Sequence, residues 1–111
     1  MTIMTRRRSP AGLVPFETLR RVATALRVLA HPHRLRIVER LDGQRLTVGQ
    51  LARALELPAA ACSQHLNLMR AHGLLRSRRD GRSVFYEIAD PSARNVLSCI
   101  RRHAAPGEGV S

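Results

Sequence analysis

The sequence predicts a mainly α domain carrying a two-stranded β hairpin, in the order α-α-α-α-β-β-α. Three observations carry this expectation. Apolar residues recur at helical spacing in stretches separated by proline, glycine or polar breaks. Two short runs of alternating character flank the turn dipeptide Asp80-Gly81. At 111 residues, the chain is long enough for one modest core and too short for two.

From Phe16 to Ala30, Leu19, Val22, Ala23, Leu26 and Leu29 fall on one face of a first helix. His31-Pro32 ends it, because proline disfavours helix in the residue before it and suits the first position of the next. The second helix runs from about Pro32 to Leu41, with Leu35, Val38 and Leu41 inward and Gly43 as C-cap. The third is short: Thr47-Val48-Gly49-Gln50 has the form of a capping box, and Val48, Leu51, Ala52 and Leu55 make its buried stripe. A fourth helix, from near Pro58 to Gly73, turns Cys62, Leu66 and Met69 inward and leaves Ser63, Gln64, Asn67 and Arg70 outward. The hairpin strands lie near 74–79 and 83–88, where Val84, Tyr86 and Ile88 alternate with Ser83, Phe85 and Glu87. Asp80-Gly81 supplies the positive φ values of the tight turn. Asp90-Pro91 caps a last helix that reaches about His103, with Val96, Leu97 and Ile100 as its stripe. Residues 15–104 form the single folded unit; residues 1–14, with Arg6-Arg7-Arg8, read as a disordered basic tail and residues 105–111 as a loose one.

Nineteen basic residues against eight acidic ones give a net charge of +11, and every basic residue is arginine. Such charge fits a polyanionic partner, and its placement sharpens the point: Arg76, Arg78, Arg79 and Arg82 crowd the hairpin turn. Beside them in sequence, Ser63, Gln64, His65 and Asn67 have the size and hydrogen-bonding type that reach base edges in a major groove. His65 has two readings: it reads a base, or it orients its helix or bonds a phosphate instead. No apolar run approaches the length of a membrane span, and the N-terminus lacks the apolar core of a signal peptide, so the expected location is cytoplasmic. Cys62 and Cys99, 37 positions apart, should be free thiols there. Neither pairs with a histidine and an orienting third group in a recognisable order, so an enzyme is not expected.

Helices, hairpin and final helix together describe a winged helix-turn-helix. Four stretches resemble the ArsR/SmtB family of bacterial repressors: LRVLAHPHRLRIVERL at 26–41, LTVGQLARALEL at 46–57, CSQHLNLMRAHGLL at 62–75 and RSRRDGRSVFYEI at 76–88. The resemblance covers most of residues 19–103, and the SQHL and RRDGR elements are its most specific parts. It implies that the first and last helices build a homodimer, that the fourth helix enters the major groove of a double-stranded operator, and that an inducer lowers DNA affinity. The familiar sensing sets are incomplete. Thr47-Val48-Gly49 stands where metal sensors have Cys-Val-Cys, Asp90 has no histidine two positions on, the second helix has no cysteine, and Pro58 replaces the usual serine cap.

Cys99 and His103, four apart in the last helix, share a face and would give half of a tetrahedral site for a thiophilic metal, completed across a two-fold axis. The alternative is a cysteine packed in the dimer interface. Cys62, on the inner face of the fourth helix, is a small packing hydrophobe or a second redox- or metal-sensing thiol. His31 and His33 are expected to serve the helix start rather than as ligands. The expected function is therefore a homodimeric repressor released by a thiol-reactive or metal inducer, its two reading helices spaced by about one duplex turn, roughly 34–36 Å. The alternative is an unswitched architectural DNA- or RNA-binding protein, told apart by its ratio of specific to nonspecific affinity at fixed salt.

Overall fold

A computed structural model describes residues 12–104; Arg6-Arg7-Arg8 and the 105–111 tail lie outside the described residues. The elements are α1 (Phe16–Leu29), α2 (Pro32–Arg40), β1 (Leu46–Thr47), α3 (Val48–Leu55), α4 (Ala59–Ala71), β2 (Leu75–Asp80), β3 (Ser83–Ile88) and α5 (Pro91–His103).

Local signals fix most boundaries as the sequence predicts. The His31 ring Nδ1 accepts the His33 backbone N–H at the start of α2. Thr47 Oγ1 accepts from the Gln50 backbone N–H, and the Gln50 side chain accepts from the Thr47 N–H, which completes the capping box of α3. Asp90 accepts from the Ser92 N–H with Pro91 at the first turn of α5. The start of α4 is different: Pro58 provides no side-chain cap.

One turn departs from expectation and a second has an unusual occupant. The hairpin closes through Gly81 and Arg82, and Gly81 alone takes positive φ, at 64°, as a type II′ turn requires at its first central position; Asp80 still belongs to β2. Between α3 and α4 the left-handed conformation falls on Glu56, at φ 58° and ψ 46°. There the Leu57 N–H reaches the Ala52 carbonyl at 2.9 Å, closing the C-terminus of α3.

The sheet has three strands rather than two, in the order β1-β3-β2 and antiparallel throughout. Leu46 pairs with Tyr86 and Thr47 with Phe85, so the strand leading into α3 is sewn to the hairpin. Arg45 strengthens that seam: its guanidinium lies over the Phe85 ring at 4.3 Å and meets Asp80 at 2.8 Å.

Leu29, Ile37, Leu41, Leu51, Leu66, Met69, Leu74 and Leu75 form the heart of the core, where α1, α2, α3 and α4 meet the hairpin. Cys62 is fully buried among them. Tyr86 and Ile88 add the inward face of β3, and Ala93 and Leu97 that of α5. On α1 the inward set is Ala25, Val28 and Leu29. Most of the apolar stripe predicted for that helix points elsewhere: Leu19 and Leu26 are 50% and 47% exposed, Phe16 is 69% exposed, and Ile100 of α5 is 43% exposed. Asp42, after α2, anchors α5 through Arg101 at 2.9 Å, with Arg94 at 3.8 Å.

Candidate nucleic-acid interface

α3 and α4 pack against each other through Leu51, Ala52, Cys62, Leu66 and Met69, and α4 leads through a left-handed Gly73 into β2. With Cys62, Leu66 and Met69 turned inward, helical geometry sends Gln64, Asn67 and Arg70 into solvent, with Ser63 half-buried at the border. Of the four polar residues expected to face DNA on α4, His65 is the exception. Its Nδ1 accepts from Arg34 Nε at 3.2 Å, and its ring packs on that of His31. Burial first, then the neighbouring His31, Arg34 and His33, holds its imidazole below the ordinary histidine value of 6.5. This favours the orienting reading of His65, because the side chain joins α4 to the start of α2. Arg34, which no local sequence pattern singles out, makes that joint; its Nη1 also donates to the Val28 carbonyl at 2.9 Å.

The hairpin arginines divide into two pairs. Arg76 lies directly across the sheet from Glu87, and both Arg76 and Arg78 donate through Nε to the same Glu87 oxygen, at 2.5 Å and 3.1 Å. These hydrogen bonds, the Arg76 one foremost, hold the Glu87 carboxyl below the ordinary carboxylate range. Arg79 and Arg82, at and beyond the end of β2, are exposed and have no acidic partner among the described residues. The tip therefore offers unneutralised guanidinium groups while the base of the hairpin is partly self-compensated. Phe85 and Tyr86 pack, the first beneath Arg45 and the second in the core, so neither is a free stacking platform.

A polar, capless-start helix beside an arginine-tipped hairpin is a winged helix-turn-helix arrangement, and comparison with known proteins agrees. Residues 29–78 match a family described as a helix-turn-helix domain. The chain is 36% identical over 90 residues to the HTH-type transcriptional repressor SmtB of Mycobacterium tuberculosis, covering 81% of this chain and 67% of that protein. This chain belongs to the ArsR/SmtB family. Among solved structures, HlyU from Vibrio cholerae N16961 superposes with a TM-score of 0.72 at 30% identity, over 78% of this chain and 94% of that one. A homodimeric winged helix-turn-helix DNA-binding domain from Mycobacterium bovis superposes with a TM-score of 0.68 at 26% identity, over 83% and 87%. The chain is a transcriptional regulator with a DNA-binding fold, and the family's members here are regulators rather than enzymes. Among the described residues, no helix is long and apolar enough to cross a membrane.

Within this ArsR/SmtB framework the two cysteines differ sharply. Cys62 is sealed on the inner face of α4, and burial pushes its thiol pKa up, which keeps it protonated and slow to react. Cys99 is exposed on α5, with Sγ 3.8 Å from His103 Nδ1, while that nitrogen also lies 2.8 Å from the Cys99 carbonyl. A shallow groove between α1 and α5, lined by Val22, Ala25, Val96 and Cys99, opens beside it. His72 closes the end of α4 instead, its Nδ1 3.1 Å from the Leu68 carbonyl.

Proposed function

We propose that this chain is a homodimeric repressor that holds a pseudo-palindromic operator and is released by a thiol-reactive or thiophilic-metal inducer acting at Cys99. One observation carries the reading: the exposed polar face of α4 occurs on the same chain as an uncovered apolar face formed by Phe16, Leu19, Leu26 and Ile100. Burial of that face against a second copy brings two α4 helices into a fixed relation, as reading two half-sites on one side of a duplex demands. Ser63, Gln64, Asn67 and Arg70 read bases or their flanking phosphates; Arg78, Arg79 and Arg82 hold the backbone. Cys99, exposed beside His103 and next to the α1–α5 groove, is placed where added bulk or a metal alters the fit of the two copies. Cys62, buried and protonated, is a packing residue in this scheme and only a slow second route.

The test has two arms. Gln64→Ala should cost roughly 1–3 kcal/mol on the operator and leave random-duplex binding nearly unchanged. Equal loss on both duplexes removes base readout and supports the architectural alternative. Operator release by peroxide, polysulfide, arsenite and zinc is then compared in the parent, Cys99→Ser, Cys62→Ser and the double serine variant. Release that persists unchanged in the double serine variant places the inducer elsewhere.

A further inference from the structure

Three histidines meet where the start of α2 touches α4. The His31 and His33 ring centroids are 5.5 Å apart, His31 and His65 4.6 Å, and His33 and His65 5.9 Å. One ring nitrogen from each lies within 4.8 Å of the other two, and all three residues are half-buried. We propose that His31, His33 and His65 form a binding site for a first-row divalent cation of the Zn²⁺, Co²⁺ or Ni²⁺ class, separate from the Cys99–His103 pair.

Imidazole is the donor this class of ion prefers, whereas Mg²⁺ and Ca²⁺ require oxygen ligands that the cluster does not offer. A tetrahedral ion with metal–nitrogen bonds of about 2.0–2.1 Å spaces its donors by about 3.4 Å. The nitrogens must therefore close from 4.8 Å by at most roughly 1.4 Å, a side-chain rotation rather than a backbone movement. His33 is the ring best able to make it, having no side-chain hydrogen bond among the described residues. Three protein donors leave a fourth position to solvent, the pattern of an open rather than a closed structural site.

The metal-free hydrogen bonds show what binding would change. His31 Nδ1 accepts the His33 backbone N–H at 3.1 Å, and His65 Nδ1 accepts Arg34 Nε–H at 3.2 Å. Each neutral ring therefore carries its proton on Nε2. An ion that takes Nε2 moves that proton to Nδ1, where it faces a donor, so both hydrogen bonds must open. An ion that takes Nδ1 displaces the same donors directly. Either way, loading removes the side-chain cap of α2 and detaches Arg34 from α4. Arg34 also opposes a dication by its own charge, so the site selects ions that bind imidazole strongly.

The experiment uses the full chain, stripped with chelator, in a Cys99→Ser/His103→Gln background that removes the α5 pair. Co²⁺ titration followed by visible ligand-field absorption, and Zn²⁺ titration by calorimetry, should each saturate at one ion per chain. His33→Ala should weaken binding about a hundredfold or more, since even outer-shell partners of metal ligands are worth 10- to 100-fold. Arg34→Gln should tighten it. Imidazole ¹⁵N resonances of His31 and His65 should shift with Zn²⁺ in the background chain, a readout that needs no further substitution. Absence of saturable binding in the background, or His33→Ala and His33→Gln variants that bind as it does, would overturn the assignment.

Discussion

Replacing Arg82 with alanine tests the division of labour among the wing arginines. Arg82 is exposed at the turn with no acidic partner among the described residues, whereas Arg76 and Arg78 share Glu87. Each phosphate neutralised contributes about 0.9 to the slope of log affinity against log salt, and a dimer presents two copies of each arginine. Arg82→Ala should therefore flatten the slope by about 1.8. Between about 50 and 200 mM salt, a fourfold change, the parent should then lose about 12-fold more affinity than the variant. Arg76→Ala should change the slope much less, because Glu87 already offsets that charge and would then sit with Arg78 alone. Glu87→Gln should steepen it, by releasing both guanidinium groups. Fluorescence anisotropy on a labelled operator and a scrambled duplex, at three salt concentrations, reads all four proteins. If Arg76→Ala flattens the slope as much as Arg82→Ala, the self-compensation argument is wrong; if neither changes it, neither Arg76 nor Arg82 touches phosphate.

Three further outcomes follow from the geometry. Leu26→Asp places a charge on the exposed apolar face of α1 and should give monomers by light scattering, with operator binding lost in step; a dimeric mass would put the interface elsewhere. Glu56→Gly should stabilise the fold by about 0.5–1 kcal/mol, since a left-handed non-glycine residue costs about 1–2 kcal/mol and glycine's extra chain entropy offsets part of it; a lower urea midpoint would contradict this. Because the folded pKa of His65 lies below its ordinary 6.5, its contribution to stability is fully present above that value and is lost as pH falls through the folded value. Urea midpoints should drop from about pH 8 to about pH 5, and His65→Gln should flatten that drop; identical profiles would show that His65 is not the titrating group.

Much of this was legible in the sequence because its signals are local. The Thr47/Gln50 capping box, the Asp90-Pro91 start and the Cys62/Leu66/Met69 face all depend on residues within two turns of one another, and the structure has each of them. What escaped depends on distant partners. A two-residue strand has no periodicity to detect, and Leu46–Thr47 becomes one only because β3 lies beside it. The α1 stripe was ambiguous in principle: a helix apolar on two faces does not reveal which face its own domain covers. Here Ala25, Val28 and Leu29 face the core, while Phe16, Leu19 and Leu26 do not. Glu56 gave no warning because the left-handed turn usually announces itself with glycine or asparagine. The Arg34–His65 joint and the three-histidine cluster bridge residues about thirty positions apart, and only the packing of α2 on α4 creates them.

The strand order has a consequence for solubility. With β3 in the middle, β2 is an outer strand whose far side carries unpaired backbone groups, the kind of border on which another chain can template itself. Exposed arginines stud that border, Arg76 and Arg78 sharing Glu87 and Arg79 with no acidic partner among the described residues, and charge of this kind disfavours edge-to-edge pairing. The same side chains should therefore oppose self-association of the free protein before any duplex is met. Neutralising several of them at once removes that guard, and variants of this kind should be examined for self-association before any loss of DNA affinity is assigned to missing contacts.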